Sequence, residues 1–276
     1  MLIKENLILD EERALYGLKD AKVNNCIFKG PADGESALKE CRNISVSNCV
    51  FELRYPFWHV KKSCINDSEF TESCRAPLWY SENLSFTNTK INGVKALREC
   101  RDIDIESSLI SSCEFGWFSK NITLHNSTVE GEYPFFQSKK LSAELLKLKG
   151  KYSFQYTRDI VIKNSYLDTK DAFWHAKNVT VENSTIKGEY LGWYSENLRL
   201  IRCRIEGTQP LCYAKNLILE DCEMVGCDLA FERSYVNATV IGNIESVKNP
   251  ISGKIKADSY GEIILDGDVK SNCIIK

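Results

Sequence analysis

The pentapeptide "WYSEN" occurs twice in the chain, at residues 79–83 and again at residues 193–197. The two copies lie 114 residues apart, which is six times 19, and a fixed short interval of this kind is the signature of a repeat protein. When the asparagines Asn83 and Asn197 serve as anchors, equivalent positions follow every 19 residues from residue 83 to residue 235 without a gap. Upstream of residue 83 the steps are 21, 19 and 23 residues, so insertions lie near the N-terminal end.

Two columns of this register contain no polar residue. The column three residues after the anchor consists of Val23, Val46, Ile65, Phe86, Ile105, Leu124, Ala143, Ile162, Val181, Leu200, Leu219 and Ala238. The column eight residues after the anchor consists of Phe28, Phe51, Phe70, Ile91, Ile110, Val129, Leu148, Leu167, Ile186, Ile205 and Met224. A false period would scatter polar residues into both columns, so we accept the 19-residue repeat.

The pattern inside each repeat predicts short β-strands. Apolar residues one and three positions after the anchor alternate with polar ones, which is the periodicity of a strand. A polar and then a small residue follow at the fifth and sixth positions, as in Asn126-Ser127, and such pairs favour a turn. Nineteen residues are too few for a strand–helix–strand unit. We therefore predict an all-β fold, a single-stranded parallel β-helix of about eleven coils, right-handed because parallel connections strongly prefer that hand.

The repeat also predicts how the chain is organised. We expect one domain over residues 1–276, with an N-terminal cap at about 1–20 and a closing segment at about 236–276, where the turn column is lost. The asparagines of the turn column should form a ladder of side-chain amides. The coil from Lys140 to Asp159 carries Leu145 and Leu146 in place of the turn pair, and we expect a local irregularity there.

Composition argues against several classes of protein. Thirty-six basic and 38 acidic residues give a net charge of −2, so no broad basic field favours nucleic acid as a partner. No apolar run is long enough for a signal peptide or a membrane span, and we therefore expect a cytoplasmic protein without a membrane partner. The twelve cysteines lack the spacing of a zinc site. We expect reduced, buried thiols and predict neither a metal nor a cofactor.

Several stretches resemble a known family. They are "PADGESALKE" (31–40), "RYPFWH" (54–59), "KALREC" (95–100), "KDAFWHAKNVTVENS" (170–184), "GEYLGWYSENL" (188–198) and "GTQPLCY" (207–213). Together with the regular coils they resemble the uncharacterised bacterial family called domain of unknown function 3737, over almost the whole chain. That family is placed with the pectin-lyase-like right-handed β-helices, so the resemblance implies the same fold. It implies no activity and no catalytic residue, and the N-T-D, paired Asp and G-H-G motifs of polygalacturonases do not occur.

Chemistry is most plausible in the last third of each repeat, where aromatic and charged residues collect. Adjacent strand residues point to opposite faces, so only one of the positions −4 and −3, counted back from the next anchor, should face the core. Small residues at −6 and −2 would leave internal room for the tryptophans at −4. We therefore predict that positions −3 and −7 face outward. Strict alternation would then also expose the apolar position −5, unless the chain bends there.

The predicted site residues come from these columns. The best catalytic set lies on consecutive rungs and offers a base, an acid and a cation; it consists of Glu40, His59, Tyr80, Glu99 and the adjacent Arg98. A second set would stack on and hydrogen-bond to sugar rings; it consists of Tyr133, Tyr156, His175, Tyr190, Tyr194 and Tyr213. The predicted ligand is an oligosaccharide or polysaccharide.

Two interpretations remain open at the level of sequence. The first is a sugar-directed protein, either a binding protein or an enzyme. The second is a non-catalytic solenoid scaffold that pairs with itself as a homo-oligomer or with another protein. A wet groove along position −3 would favour the first, and a flat, dry strip would favour the second.

Overall fold

The structure, a computed structural model, describes residues 1–30, 35–267 and 269–276. The first four residues of "PADGESALKE" and Asp268 of the predicted closing segment lie outside these ranges. The described residues contain no helix, and so none that is long and apolar enough to cross a membrane. The chain divides into two compact units, Met1–Ser142 and Ala143–Lys276.

The first unit consists of paired long and short strands. In chain order they are β1 (Leu2–Glu5), β2 (Ile8–Leu9), β3 (Lys19–Asn24), β4 (Ile27–Phe28), β5 (Arg42–Ser47), β6 (Val50–Phe51), β7 (Lys61–Asn66), β8 (Glu69–Phe70), β9 (Glu82–Thr87), β10 (Lys90–Ile91), β11 (Arg101–Glu106), β12 (Leu109–Ser111), β13 (Lys120–His125) and β14 (Thr128–Glu132).

The division between the units falls within β15 (Lys139–Glu144). The second unit continues with β16 (Lys147–Lys151), β17 (Arg158–Lys163), β18 (Tyr166–Lys170), β19 (Lys177–Glu182), β20 (Thr185–Lys187), β21 (Glu196–Ile201), β22 (Arg204–Glu206), β23 (Leu217–Val225), β24 (Tyr235–Ile241), β25 (Asn243–Lys248), β26 (Ser252–Lys256), β27 (Ser259–Ile264) and β28 (Asn272–Ile275).

Successive coils pair in parallel, with the register that the sequence predicts. In the first unit Val46 lies opposite Val23 and Ile65, and Phe51 lies opposite Phe28 and Phe70. In the second unit the same columns continue, for example from Val181 to Leu200 and from Ile186 to Ile205. The residues of both columns are buried. Each unit is therefore a parallel β-solenoid with a core of stacked, like side chains, and the predicted fold class is confirmed.

The predicted number of coils is too low. The described residues form about 14 turns, against the eleven predicted. Strands β1 and β2 pair in register with β3 and β4, and β24, β26 and β28 pair in series. The C-terminal turns were missed because they lack the asparagine turn column, whereas the first turn carries Asn6 in that column and was assigned to the N-terminal cap. The predicted limits of one domain, its cap and its closing segment stay predictions, as does the right-handed coil.

The irregularity predicted at Leu145 and Leu146 is wrong. Leu145 takes the same positive φ, 54°, as the turn asparagines, and Leu146 is fully buried. The backbone N–H of Leu146 donates to Ser165 Oγ at 3.0 Å. A leucine pair therefore keeps the turn, because the backbone geometry of a coil is held by its hydrogen bonds to the neighbouring coil.

A bend with an unusual backbone joins the short strand to the next long strand. Positions −7, −5 and −3 have positive φ in most coils, as in Tyr55, Phe57 and His59 (60°, 59° and 58°). A non-glycine residue pays roughly 1–2 kcal/mol for this conformation. In return, their N–H groups donate to the coils on alternate sides, since Phe57 bonds Ala37 while His59 bonds Trp79. The backbone N–H groups of the bend are thus hydrogen-bonded although the bend lacks strand geometry.

Ladders of small polar side chains line the two bends of each coil. At position −2, Ser81 Oγ accepts from the Val60 N–H at 3.0 Å, Cys100 Sγ accepts from the Ser81 N–H at 3.4 Å, and Ser119 Oγ accepts from the Cys100 N–H at 3.0 Å. At the sixth position, Cys49 and Ser68 repeat the arrangement. Serine and cysteine thus share one structural role.

That role accounts for the abundance of cysteine. The twelve cysteines are free, and nine are buried. Burial raises the pKa of the Cys41, Cys49 and Cys100 thiols to about 12. These thiols therefore stay protonated at neutral pH and act as small, weakly polar side chains.

The asparagines of the turn column link neighbouring coils as predicted, but mostly through carboxylate, hydroxyl or guanidinium partners, and bonds between successive amides occur at the anchor position instead. In the turn column, Asn88 Nδ2 donates to Asp67 Oδ1 at 2.6 Å. In the anchor column, Asn216 donates to Asn197 and Asn197 donates to Asn178, at 2.8 and 2.9 Å. Asparagine suits both columns because it tolerates positive φ and can donate to one neighbour while accepting from the other.

The two serines of the repeated pentapeptide should differ in their contribution to stability. Ser81 Oγ accepts from the Val60 N–H and donates to the Phe57 carbonyl at 2.8 Å, whereas Ser195 Oγ is buried with no hydrogen-bond partner among the described residues. We expect Ser81→Ala to lower the free energy of unfolding by about 1–3 kcal/mol, because it leaves a buried N–H unpaired. Ser195→Ala should cost much less. Chemical denaturation checks both variants, and equal losses would contradict the assignment.

Candidate functional site

Position −3 of the repeat lies on the surface in both units. In the first unit the column consists of Glu40, His59, Tyr80, Glu99, Phe118 and Gln137, and in the second unit of Tyr156, His175, Tyr194, Tyr213 and Glu232, all exposed or half-buried. Position −5 is fully buried, as for Phe57 and Phe173. The bend at −5 therefore prevents the apolar strip that strict strand alternation would have exposed.

Four residues of this column in the second unit form a continuous stack, the tyrosine ladder, which consists of Tyr156, His175, Tyr194 and Tyr213. The ring centroids of Tyr156 and His175 lie 4.8 Å apart, those of His175 and Tyr194 4.9 Å, and those of Tyr194 and Tyr213 4.8 Å, with interplanar angles of 13°, 6° and 13°. Tyr156 and Tyr194 are 50% and 45% exposed. The spacing equals the separation of hydrogen-bonded strands, so the backbone dictates the stack.

The stack determines which part of each ring a ligand can reach. His175 and Tyr194 have both faces covered by their neighbours, so they present ring edges and polar tips to solvent. The Tyr194 and Tyr213 hydroxyls and the His175 ring nitrogens make no hydrogen bond to any described residue. Stacking of sugar rings on these inner faces, which the sequence suggested, is therefore blocked. Hydrogen bonding to the tips remains available.

In each unit the tryptophans at position −4 lie at the surface beside the −3 residues and not in the core, so the predicted internal placement is wrong. They are half-buried, and each indole Nε1 donates to a backbone carbonyl of the next coil, as Trp79 to Lys95 at 2.6 Å and Trp193 to Gln209 at 2.7 Å. Trp174 and Trp193 stack at 5.4 Å. Adjacent Trp and Tyr residues consequently meet edge to face on the same surface, as Trp193 does with Tyr194 at 6.3 Å.

The predicted catalytic residues lie on one face of the first unit, but each has a local partner. His59 stacks on Tyr80 at 5.1 Å. Glu40 Oε2 accepts a hydrogen bond from the Tyr16 hydroxyl at 2.6 Å, and this bond raises the pKa of Tyr16. Arg98 Nε lies 3.9 Å from Glu99 Oε1.

Arg98 fills a tryptophan position in its column. Its guanidinium lies 5.1 Å from the Trp79 ring and 5.5 Å from the Trp117 ring. Contact with two indole rings is a favourable cation–π arrangement. Arg98 therefore connects the aromatic rings on either side of it, in addition to pairing with Glu99.

The two carboxylates of the predicted catalytic set are not neighbours. Glu40 and Glu99 are separated by three rungs, and at about 4.8 Å per rung this places them about 14 Å apart. Glycosidases hold their two carboxyl groups about 5–5.5 Å or about 6.5–9.5 Å apart. The geometry therefore does not bring the pair together for that chemistry, and the catalytic roles of these residues stay predictions.

The residues at position −7 differ in solvent exposure, whereas the sequence predicted that all of them face outward. Tyr133 is 36% exposed and meets Trp117 edge to face at 6.4 Å. Tyr190 contacts Trp193 at 5.3 Å and carries the Lys170 ammonium 5.2 Å from its ring centre. The outward orientation predicted for Ser36 and Asp171 is wrong, since they are only 9% and 5% exposed. The chain turns inward there, towards the buried position −6.

Asp171 is a candidate that sequence reasoning did not select. Burial raises the pKa of its carboxyl, and the nearby Lys170 ammonium partly opposes that shift. Perturbed carboxyls of this kind occur at functional sites as well as in structural networks. The signal in the sequence was an aspartate in a column that carries tyrosine in the coils before and after it, Tyr152 and Tyr190.

The position immediately before the anchor was also overlooked. Nine of its twelve residues are basic; the column, here called the basic column, consists of Lys19, Arg42, Lys61, Glu82, Arg101, Lys120, Lys139, Arg158, Lys177, Glu196, Lys215 and Ser234. In the first unit it borders an open cleft of about 420 Å³ lined by Lys19, Glu40, Cys41, Arg42, His59 and Lys61. Positions −3 and −1 thus share one surface. No group of three potential metal ligands occurs among the described residues.

One comparison with known proteins shows the family of this chain. Residues 2–276 match the family model described as "Protein of unknown function (DUF3737)". The chain belongs to this family. No curated protein matches the chain. The family assignment therefore confirms the resemblance seen in the sequence, and it brings no activity to this DUF3737 protein.

Solved structures share the solenoid only distantly with this DUF3737 chain. PfbA, a surface adhesin of Streptococcus pneumoniae, is 9% identical over 87% of this chain and 81% of its own, with a TM-score of 0.42. The A-module of an Azotobacter vinelandii mannuronan C-5 epimerase is 10% identical over 100% and 88%, with a TM-score of 0.29. HetL, a pentapeptide repeat protein of Nostoc, is 12% identical over 80% and 92%, with a TM-score of 0.25. These likenesses are too weak to support a function.

His175 should make the stability of the protein depend on pH. Burial between its neighbours lowers the pKa of His175, so the unfolded chain takes up a proton at a higher pH than the folded chain does. Stability should therefore fall as pH drops through about 6.5, the ordinary value for histidine. We expect the melting temperature of His175→Phe to exceed that of the wild type by more at about pH 5.5 than at about pH 7.5.

The phenylalanine keeps the ring stack and removes only the titrating group, so the comparison isolates the effect of protonation on the melting temperature. A difference in melting temperature that shrinks at the lower pH would contradict the expected sign. It would show that cation–π attraction to Tyr156 and Tyr194 outweighs burial.

Proposed function

We propose that this protein binds an oligosaccharide or polysaccharide along the tyrosine ladder. The observation that carries the proposal is the row of solvent-facing ring edges in which Tyr194, Tyr213 and His175 have polar tips without a partner among the described residues. Phenol hydroxyls and imidazole nitrogens both donate and accept hydrogen bonds. They therefore suit the hydroxyl groups of a sugar chain.

The ladder is also rigid before any ligand arrives. Each inner ring is held by a ring on either side at 4.8–4.9 Å, so its rotamer is already fixed. Binding then costs little side-chain entropy, which is one of the main penalties of association. A rigid row of regularly spaced polar tips suits a ligand that repeats along its length, because several weak contacts act together.

The residues at position −3 support binding better than they support catalysis. The carboxylates Glu40 and Glu99 are too far apart to act as a pair, and Glu40 is engaged by Tyr16. The enzymatic version of the sequence prediction therefore has less support than binding. A cytoplasmic location stays a prediction from the sequence.

A second candidate function, self-association, rests on the first unit. There the −3 column includes Phe118, which is 37% exposed and has no polar tip, next to the half-buried Trp117. An exposed aromatic pair of this kind suits a contact between two protein surfaces better than it suits a sugar hydroxyl. Light scattering of the wild type and of Phe118→Ser would separate the two cases, since only a dimer through this face should dissociate.

The carbohydrate proposal is tested by removing the polar tips and keeping the rings. A glycan array first identifies a ligand, and calorimetry then compares the wild type with the double variant Tyr194→Phe and Tyr213→Phe. Loss of two hydrogen bonds of about 1 kcal/mol each should weaken binding about tenfold or more, with the melting temperature unchanged. Tyr166→Phe is the matched control, because Tyr166 is 45% exposed, like Tyr194, and lies on β18 outside the ladder.

Two results would overturn the proposal. The first is an array without any binding to plant, bacterial or host glycans. The second is equal weakening by the ladder variant and by the Tyr166→Phe control, which would show that the ladder tips do not touch the ligand.

A further inference from the structure

The basic column differs from the other charged columns of the molecule. On the strands of the second unit, basic residues of one coil pair with acidic residues of the next, as Lys163 with Glu182 at 3.5 Å and Arg204 with Glu223 at 3.1 Å. In the basic column, like charges follow one another at the strand spacing. Like charges directly opposite each other in a sheet are destabilising, so the fold itself does not call for this arrangement.

The two glutamates of the repeated pentapeptide interrupt the column, and the buried Ser234 ends it. Glu82 accepts bonds from Lys61 at 2.8 Å and from Arg101, and Glu196 pairs with Lys177 at 2.7 Å. Hydrogen bonds from Lys61 and from Lys177 lower the pKa of Glu82 and Glu196 respectively. Each glutamate thus relieves its neighbours, and the remaining coils keep their positive charge.

More than half of the basic side chains in the column form no close ion pair, although Arg158 and Lys215 still interact with Glu196 at longer range. Six basic side chains of the column form no ion pair with any described residue: Lys19, Arg42, Lys120 and Lys139 in the first unit, and Arg158 and Lys215 in the second. They are exposed. The column therefore presents cations at intervals set by the coils, one residue beyond the buried position −2 and two beyond the tyrosine ladder column.

We infer that the ligand of the tyrosine ladder is an anionic polysaccharide, with carboxylate or sulfate groups that pair with the basic column while its hydroxyls bind the ladder tips. This inference rests on the proposed function and names its ligand class. In the first unit the cleft of about 420 Å³ brings Lys19, Arg42 and Lys61 together with His59 on one surface. An acidic group and a hydroxyl of one sugar chain can therefore reach both columns.

Nucleic acid is the other polymer that carries regular negative charge, and the ladder does not suit it. Single-stranded nucleic acids bind by stacking their bases on the faces of aromatic rings. The inner faces of the ladder are covered by neighbouring rings at 4.8–4.9 Å. The net charge of −2 also leaves no broad basic field for a duplex. Ring edges that bind hydroxyls favour a sugar polymer.

The test uses pairs of polymers with the same backbone. Carboxymethyl cellulose is compared with hydroxyethyl cellulose, and dextran sulfate with dextran, by biolayer interferometry on the full chain at about 50 mM and about 300 mM salt. We expect both acidic polymers to bind more tightly than their neutral partners, and we expect salt to weaken only the acidic ones. The two pairs distinguish carboxylate from sulfate as the preferred acidic group.

Variants locate the binding to the column. Arg158→Gln with Lys215→Gln removes two positive charges that form no close ion pair, and affinity for the acidic polymer should fall about fivefold to tenfold, with a shallower salt dependence. Lys147→Gln with Lys187→Gln is the matched control, because both lysines are exposed on other columns of the second unit and the net charge changes equally. The control should keep wild-type affinity.

The outcomes separate this inference from the proposed function. Equal, salt-insensitive binding of neutral and acidic polymers would overturn the anionic ligand and leave carbohydrate binding in place. Equal losses in the two double variants would likewise overturn the role of the basic column. Binding of an oligothymidylate as tight as that of the acidic polymers would overturn the sugar assignment, and binding of no polymer would overturn the proposed function itself.

Discussion

Parallel pairing in an exact register is the constraint on which the rest of this structure depends. Each coil places its residues directly above their equivalents, about 4.8 Å away, so every side chain has its own counterpart as its nearest neighbour. A column is stable only if its residues are compatible with copies of themselves. Valine and phenylalanine pack together, asparagine amides donate and accept in series, and aromatic rings stack. The composition of each column follows from this condition.

The same condition explains how much of the molecule could be predicted from its sequence. The core columns were predicted residue by residue, because burial and self-stacking exclude polar residues from Val46 and Phe51 and their equivalents. The turn ladders were predicted because asparagine is one of the few residues that suit both the backbone and the stack. The extra C-terminal turns were missed where that marker is absent, since backbone hydrogen bonds can maintain a coil without it.

The bend was the part of the site that the sequence could not show. Residues with positive φ are normally recognised as glycine or asparagine, but here Tyr55, Phe57 and His59 adopt it. Nothing in their side chains reports this conformation, because the neighbouring coils impose it through backbone hydrogen bonds. The rule of alternating faces therefore failed between −7 and −3, and Trp and Tyr lie on one surface.

Four residues of the repeated pentapeptide belong to columns with a defined role. Its Trp and Tyr form the aromatic surface, its Asn belongs to the anchor ladder, and its Glu interrupts the basic column in both copies. The core, turn, anchor and aromatic columns are compatible with their own repetition, whereas the basic column is not. Nine of the twelve residues in this column are basic although the stacking constraint disfavours like charges, and we infer a benefit outside the fold. An acidic polymer bound along the basic column would supply this benefit. Its negative charges, at the spacing of the coils, would pair with the basic side chains.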